Sequence, residues 1–216
     1  MTSEVKVDKL SQKGSTGIVI TDDIKLSSGK SIKNAAGTDL LTQAGVLDNV
    51  SLGSGVTGKV TLGTVVATTS GNTIVFTGIP TGTRRITVSF GGVSNSGAST
   101  PVIQLGDSGG FETSGYLGSG IFHGSSTNTA ASITIGLALV PNWNAAVTLV
   151  GAMVISLVDP LTNTWVSTSF NGRTDNTTGY SGGSSKSLSG ELTQIRLTTS
   201  AGDTAWDAGK INIIYE

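Results

Sequence analysis

Residues 24–53 read Ile24-Lys-Leu-Ser-Ser-Gly29-Lys-Ser-Ile32-Lys-Asn-Ala-Ala-Gly37-Thr-Asp-Leu40-Leu-Thr-Gln-Ala-Gly45-Val-Leu47-Asp48-Asn-Val50-Ser-Leu-Gly53. Glycine recurs every eight residues, at Gly29, Gly37, Gly45 and Gly53. A branched aliphatic stands five residues ahead of the first three: Ile24, Ile32 and Leu40. The fourth slot is Asp48, flanked by Leu47 and Val50. The pattern predicts short strands separated by glycine turns, since glycine accepts positive φ without penalty. Each unit holds too few apolar side chains to build a core alone. The units must bury that face on copies of themselves or on another chain. A trimeric, intertwined stalk meets this need, with Ile24, Ile32, Leu40, Leu47 and Val50 packing along its seam. The competing reading, a flexible Ser/Gly linker, does not account for aliphatics kept in register.

Outward from this stretch the texture changes twice. Residues 1–16 are polar with scattered Val5, Val7 and Leu10 and read as a docking tip. Residues 17–63 form the stalk, with a hinge at 51–63 where glycines crowd. Beyond Gly63 longer strands are predicted at 64–69, 73–77, 85–90, 102–105, 133–139, 147–157, 164–168, 191–198 and 210–215, divided by Gly, Ser, Asn and Pro. The last of these alternates most clearly, with Ile211, Ile213 and Tyr215 on one face. No segment longer than ten residues has helical periodicity. The fold class is therefore all-β, with residues 64–216 forming an antiparallel sandwich or jelly roll. About 150 residues bury roughly 68–70% of their unfolded surface, enough for an independent core.

Composition narrows the function. Charged residues make up 12% of the chain and the net charge is −1, with no Lys/Arg cluster interleaved with aromatics. Nucleic acid is not an expected partner. There is no cysteine, so neither disulfides nor thiol chemistry enter. No apolar run approaches the roughly 18 residues of a membrane span, and no secretory leader is visible. The 31 glycines each cost roughly 0.5–1 kcal/mol inside a regular element, so most belong in turns or in strands supported by extensive packing.

Few constellations point to chemistry. Gly106-Asp107-Ser108-Gly109-Gly110 matches the nucleophile motif of chymotrypsin-like proteases, which need an upstream histidine. The single histidine, His123, lies downstream in a loop-like context, so a tight turn between strands is the expected role of the motif. One histidine without cysteine does not make a typical zinc site. No cofactor is implied, and no Asp-x-Asp-x-Asp calcium loop occurs. A glycosidase would need paired carboxylates; the candidates are Asp107 with Glu112, Asp159, Asp175, Glu191, Asp203 and Asp207, most in turn-like contexts. For sugar contact, Tyr116, Trp143 and Tyr180 stand amid Gly, Ser, Asn and Pro and are the aromatic candidates for stacking, with packing in the core or at a trimer interface as the competing role.

Three segments carry a family resemblance. Residues 9–20 (Lys-Leu-Ser-Gln-Lys-Gly-Ser-Thr-Gly-Ile-Val-Ile), 25–38 and 41–50 resemble the N-terminal region of fibre-like virion proteins of tailed bacteriophages. Residues 103–118, 186–190 and 207–216 look like the β domain that many of those proteins carry. The resemblance implies a non-enzymatic virion structural protein, made in the host cytoplasm and docked to capsid or tail proteins by its N-terminus. Two placements follow from it. One is a trimeric tail or head fibre exposing its β domain to a host-surface glycan. The other is a capsid decoration (cement) protein that stabilises the head. A glycan-cleaving enzyme is the minor alternative.

Overall fold

A computed structural model gives the fold and describes residues 31–33, 39–42, 60–141 and 143–216. Among the described residues every regular element is a strand, and every strand pairing is antiparallel. The chain divides into two compact units, residues 1–56 and 57–216.

In the first unit, β1 (Ser31–Lys33) pairs with β2 (Asp39–Thr42) around the segment that holds Gly37. Ile32 stands opposite Leu41, and the register shifts between Ile32 and Lys33, so Leu40 falls at an irregularity. Ile24, Leu47, Val50, the tip at 1–16 and most of the hinge lie outside the described residues.

The second unit holds two sheets. In chain order its strands are β3 (Thr61–Leu62), β4 (Val66–Ala67), β5 (Ile74–Thr77), β6 (Arg85–Asn95), β7 (Pro101–Asp107), β8 (Gly110–Phe111), β9 (Leu117–His123), β10 (Asn128–Ser132), β11 (Leu137–Ala138), β12 (Leu149–Asp159), β13 (Thr164–Arg173), β14 (Gly179–Ser187), β15 (Gln194–Thr199) and β16 (Trp206–Tyr215). The nine-stranded sheet runs β10-β9-β14-β13-β12-β6-β16-β3, with β4 also on β16. The five-stranded sheet runs β11-β7-β15-β5, with β8 on β7. One hydrophobic cluster draws on both sheets: Val88, Met153 and Ile213 from the larger, Phe76, Leu105 and Leu197 from the smaller.

Strand alternation builds this core, and bulges keep it in phase. Along β6, Ile86, Val88 and Phe90 point inward at period two, and then Val93 does, an odd step later. The step is absorbed at Gly91-Gly92, where Gly92 has φ +71° and the register with β12 shifts. The neighbouring β16 carries a matching irregularity at Gly209, φ +95°, which lets Trp206, Ile211 and Ile213 share the inner side. A Cβ on Gly209 would lie 2.3 Å from the carbonyl oxygen of Gly92. The two bulges therefore pack on each other, and both positions require glycine.

Several strand expectations are corrected. The apolar run 133–139 is not one strand. The chain leaves the large sheet after Ser132 and joins the small one at Leu137, where Gly136 passes so close to β7 that a Cβ would meet Val102 Cβ at 2.7 Å. The segment 64–69 contributes only Val66–Ala67. Two long strands, β9 and β14, arise from Leu-Gly-Ser-Gly-Ile-Phe-His and Gly-Tyr-Ser-Gly-Gly-Ser-Ser-Lys-Ser, whose composition reads as loop. Their glycines are there for closeness: a Cβ on Gly118 would sit 2.1 Å from Ser184 Oγ. Thr61–Leu62, inside the stretch read as a hinge, is paired with β16, and Gly63 N donates to Ile213 O at 2.8 Å.

Candidate functional site

The three aromatics offered as candidate sugar contacts are all buried, and this corrects that assignment in favour of core packing. Tyr116 is 0% exposed. Its hydroxyl accepts a hydrogen bond from Leu105 N at 2.8 Å and donates one to Glu112 O at 3.0 Å, tying the 112–116 loop to β7. Burial pushes its phenol well above the ordinary range. Lys186 Nζ lies 5.4 Å from the ring centroid and bonds Glu112 Oε2 and Ser114 O. Trp143 is 5% exposed and donates from Nε1 to Asn95 Oδ1 at 2.9 Å. Tyr180 is 0% exposed and packs against Phe122, centroids 5.6 Å apart. Each ring found an apolar enclosure, and the polar tips of Tyr116 and Trp143 found partners, which is how amphipathic aromatics enter cores.

The Gly106–Gly110 motif forms the turn between β7 and β8. Asp107 is buried; its Oδ2 accepts from Ser189 Oγ (2.6 Å) and Gly190 N (2.9 Å), and its Oδ1 from Gly109 N (2.8 Å). These donors, the Ser189 hydroxyl foremost, hold the carboxyl below its usual range. Most of the other candidate carboxylates are also locally engaged, while Asp207 is exposed on β16. Asp159 caps its own turn through Leu161 N and Thr162 Oγ1. Glu112 meets Lys186, Glu191 accepts from Gly82 N, and Asp203 accepts from Ser99. Among the described residues no group of three or more His, Asp or Glu is placed to hold a metal ion.

The solvent-facing aromatic is a different one. On β13, Trp165, Ser167, Ser169 and Asn171 point inward, and Val166, Thr168 and Phe170 point outward. Phe170 is 74% exposed. Register spreads its neighbours across the outer face: Ile121, Ser181, Phe170, Ala152 and Ser89 in one row, Ser119, Gly183, Thr168, Val154 and Thr87 in the next. Neither row carries a charge. The row on the other side of Phe170 runs His123, Gly179, Gly172 and Val150. Its two glycines lack side chains between His123 and Phe170, and the gap they leave is a trough of about 510 Å³ lined by His123, Phe170, Asn171, Gly172, Thr177, Thr178 and Gly179.

The walls of the trough are fixed. His123 Nε2 is 2.8 Å from Ser181 Oγ. The 174–178 turn is pinned by Arg173, whose guanidinium grips Asp175 through Nε (3.1 Å) and Nη2, and Asp175 Oδ1 accepts from Thr148 N at 3.0 Å. That pairing holds the Asp175 carboxyl down to about 2. Asn171 is wholly buried, and neither its Nδ2 nor its Oδ1 has a protein partner; the Thr178 hydroxyl also has none. Room for the Asn171 amide comes from Gly151 on β12, φ +142°, where a Cβ would lie 2.7 Å from Asn171 Oδ1. The Tyr180 hydroxyl faces the Arg173 guanidinium without reaching hydrogen-bond geometry. Burial raises its phenol, and the guanidinium partly offsets that.

Sequence contained a signal for Phe170. Trp165 sets the inward phase of β13, and Phe170 lies an odd number of residues away, on the opposite face. The glycine floor had none, because it depends on Gly172 and Gly179 being cross-strand partners. No family model, curated protein or solved structure matches the chain.

Proposed function

We propose that the chain is a non-enzymatic structural protein of a bacteriophage virion. It is a trimeric, fibre-like appendage, docked by residues 1–16, that presents residues 64–216 outward as a sandwich with jelly-roll character to a host-surface glycan. The trough beside Phe170 is the observation that carries the recognition role. An exposed aromatic ring offers a stacking surface for the apolar face of a sugar. The floor of Gly172 and Gly179 leaves space for the ring, and His123 and Thr177 supply donors and acceptors for hydroxyls. No Asp, Glu, Lys or Arg lines the trough, which suits a neutral polyol. The resemblance of the N-terminal region to phage fibres supports the docking role. Of the candidate carboxylates, Asp107 and Asp159 serve in turns and Asp175 and Glu112 in ion pairs.

A decoration protein is the second reading, favoured by the two adjacent uncharged rows on the outer face of the large sheet, which suit lateral contact on a capsid lattice. Cryo-electron microscopy of purified particles separates the two. A few trimers at the tail or at single vertices, with the β domain outward, are the expected result. Copies across the capsid lattice would make the protein a cement, and its absence from the particle would overturn both readings.

A further inference from the structure

The nine-stranded sheet ends on one side at β10, Asn128-Thr-Ala-Ala-Ser, all five residues of which are exposed. The other sheet margins are shorter: β3, β4 and β11 have two residues each, and β5 has four, alternately buried. Edge strands normally avoid joining other chains by means of charge, proline, bulges or brevity. β10 has no charge and no proline, and it runs against β9 without a register shift.

The hydrogen-bond phase of this edge is fixed by its two ends. Gly124 N donates to Thr127 O at 3.0 Å, and Ile133 N donates to Gly118 O at 2.9 Å. Bonded and non-bonded pairs alternate along an antiparallel ladder. Counting between those ends, Thr129 and Ala131 bond to β9, and Asn128, Ala130 and Ser132 turn their N–H and C=O groups outward. The outward set is symmetric about Ala130.

We propose that β10 pairs antiparallel with β10 of a second copy, about a two-fold axis at Ala130. Ala130 then faces its own counterpart and Asn128 faces Ser132, each pair exchanging both main-chain bonds. The facing side chains are small and neutral, so no like charges meet. The contact is isologous and closes on itself. It joins two sheets into one and extends cover over the groove of about 390 Å³ lined by Val102, Ala131, Ile133, Ile135 and Pro141 at this margin. A two-fold contact links one trimer to another, not chains within a trimer, so it stands apart from the proposed role and does not depend on it. At about 3.4 Å per residue the paired edge is about 17 Å long. That is small beside the roughly 800 Å² per partner of a standard interface, so the association is weak and is read at high concentration.

The test is sedimentation velocity of the full chain over a concentration series. The basal species is expected to double in mass as concentration rises. Ala130→Lys and Ala130→Asp each place like charges face to face and should raise the doubling concentration about fivefold. An equal mixture of the two should restore it. Ala130→Pro removes an outward N–H without touching the bonds to β9, and should also suppress doubling. A wild-type chain that never doubles, variants that double as wild type does, or a mixture that fails to recover would each overturn the proposal.

Discussion

The turn at Asp107 and the trough at Phe170 are written in the same vocabulary of glycine, serine, threonine and one larger group, and they have opposite character. At the turn, Ser189, Gly109 and Gly190 all donate to one buried carboxylate. At the trough, the buried Asn171 amide meets nothing, and the Thr178 hydroxyl also lacks a partner. An unmet buried polar atom costs about 1–3 kcal/mol. The first region uses its polar groups to hold the chain together; in the second the Asn171 amide lies on the inner face of β13, and the open surface is left to the Phe170 ring on the outer face. Residue type does not separate them; the difference is whether the fold delivers a partner.

The largest expected effect comes from breaking the closed region. Asp107→Ala leaves the N–H groups of Gly109 and Gly190 without their acceptor and should lower the unfolding free energy by about 2–4 kcal/mol in urea denaturation. A loss below about 0.5 kcal/mol would mean that the turn does not stabilise the β7–β8 connection, and the contrast would fail.

Acid gives a smaller effect that sharpens the contrast. The Ser189 hydroxyl and the Gly109 N–H lower the Asp107 carboxyl, and Arg173 holds Asp175 down to about 2. A carboxylate depressed in the folded state stabilises fully above its unfolded value, near 3.9, and loses that contribution as pH falls through the folded value. Stability should therefore be flat from pH 7 to about 5 and decline from about 4 toward 2. Asp107→Asn should start lower and lose less over that interval. An equal acid-dependent loss in both proteins would remove Asp107 from the account.

How much of this is legible in the sequence depends on range. Ile211, Ile213 and Tyr215 alternate over consecutive residues, and the structure turns them to the core as the pattern says. The turn at Gly106–Gly110 is likewise local. Strands β9 and β14 are not legible, because their glycines answer to neighbours distant in sequence: Gly118 to Ser184, and Gly182 to Ala138, whose carbonyl oxygen a Cβ would approach to 2.6 Å. The same limit misplaced the aromatics. Tyr116 stands among Gly and Ser in the sequence, yet its hydroxyl is claimed by Leu105 N and Glu112 O. Phe170, in a strand with Ser167 and Ser169, is the ring left outside, since the inward phase belongs to Trp165.

The smallest effect on stability should accompany a clear effect on binding. Phe170→Ala removes a ring that is 74% exposed, so the unfolding free energy should move by no more than about 0.5 kcal/mol. Its stacking surface would be gone, and, on the proposed role, affinity for a host-surface glycan, measured by calorimetry against purified surface polysaccharide, should fall about tenfold. Tyr116→Phe supplies the reverse case. It leaves the buried N–H of Leu105 without its acceptor, should cost about 1–3 kcal/mol of stability, and should bind as wild type does because Tyr116 does not line the trough. The two substitutions together test whether binding and stability are divided between these regions. If Phe170→Ala destabilised the fold while binding was kept, the outer face would be a packing surface, covered in the assembled protein by another chain, and the sugar site would have to lie elsewhere.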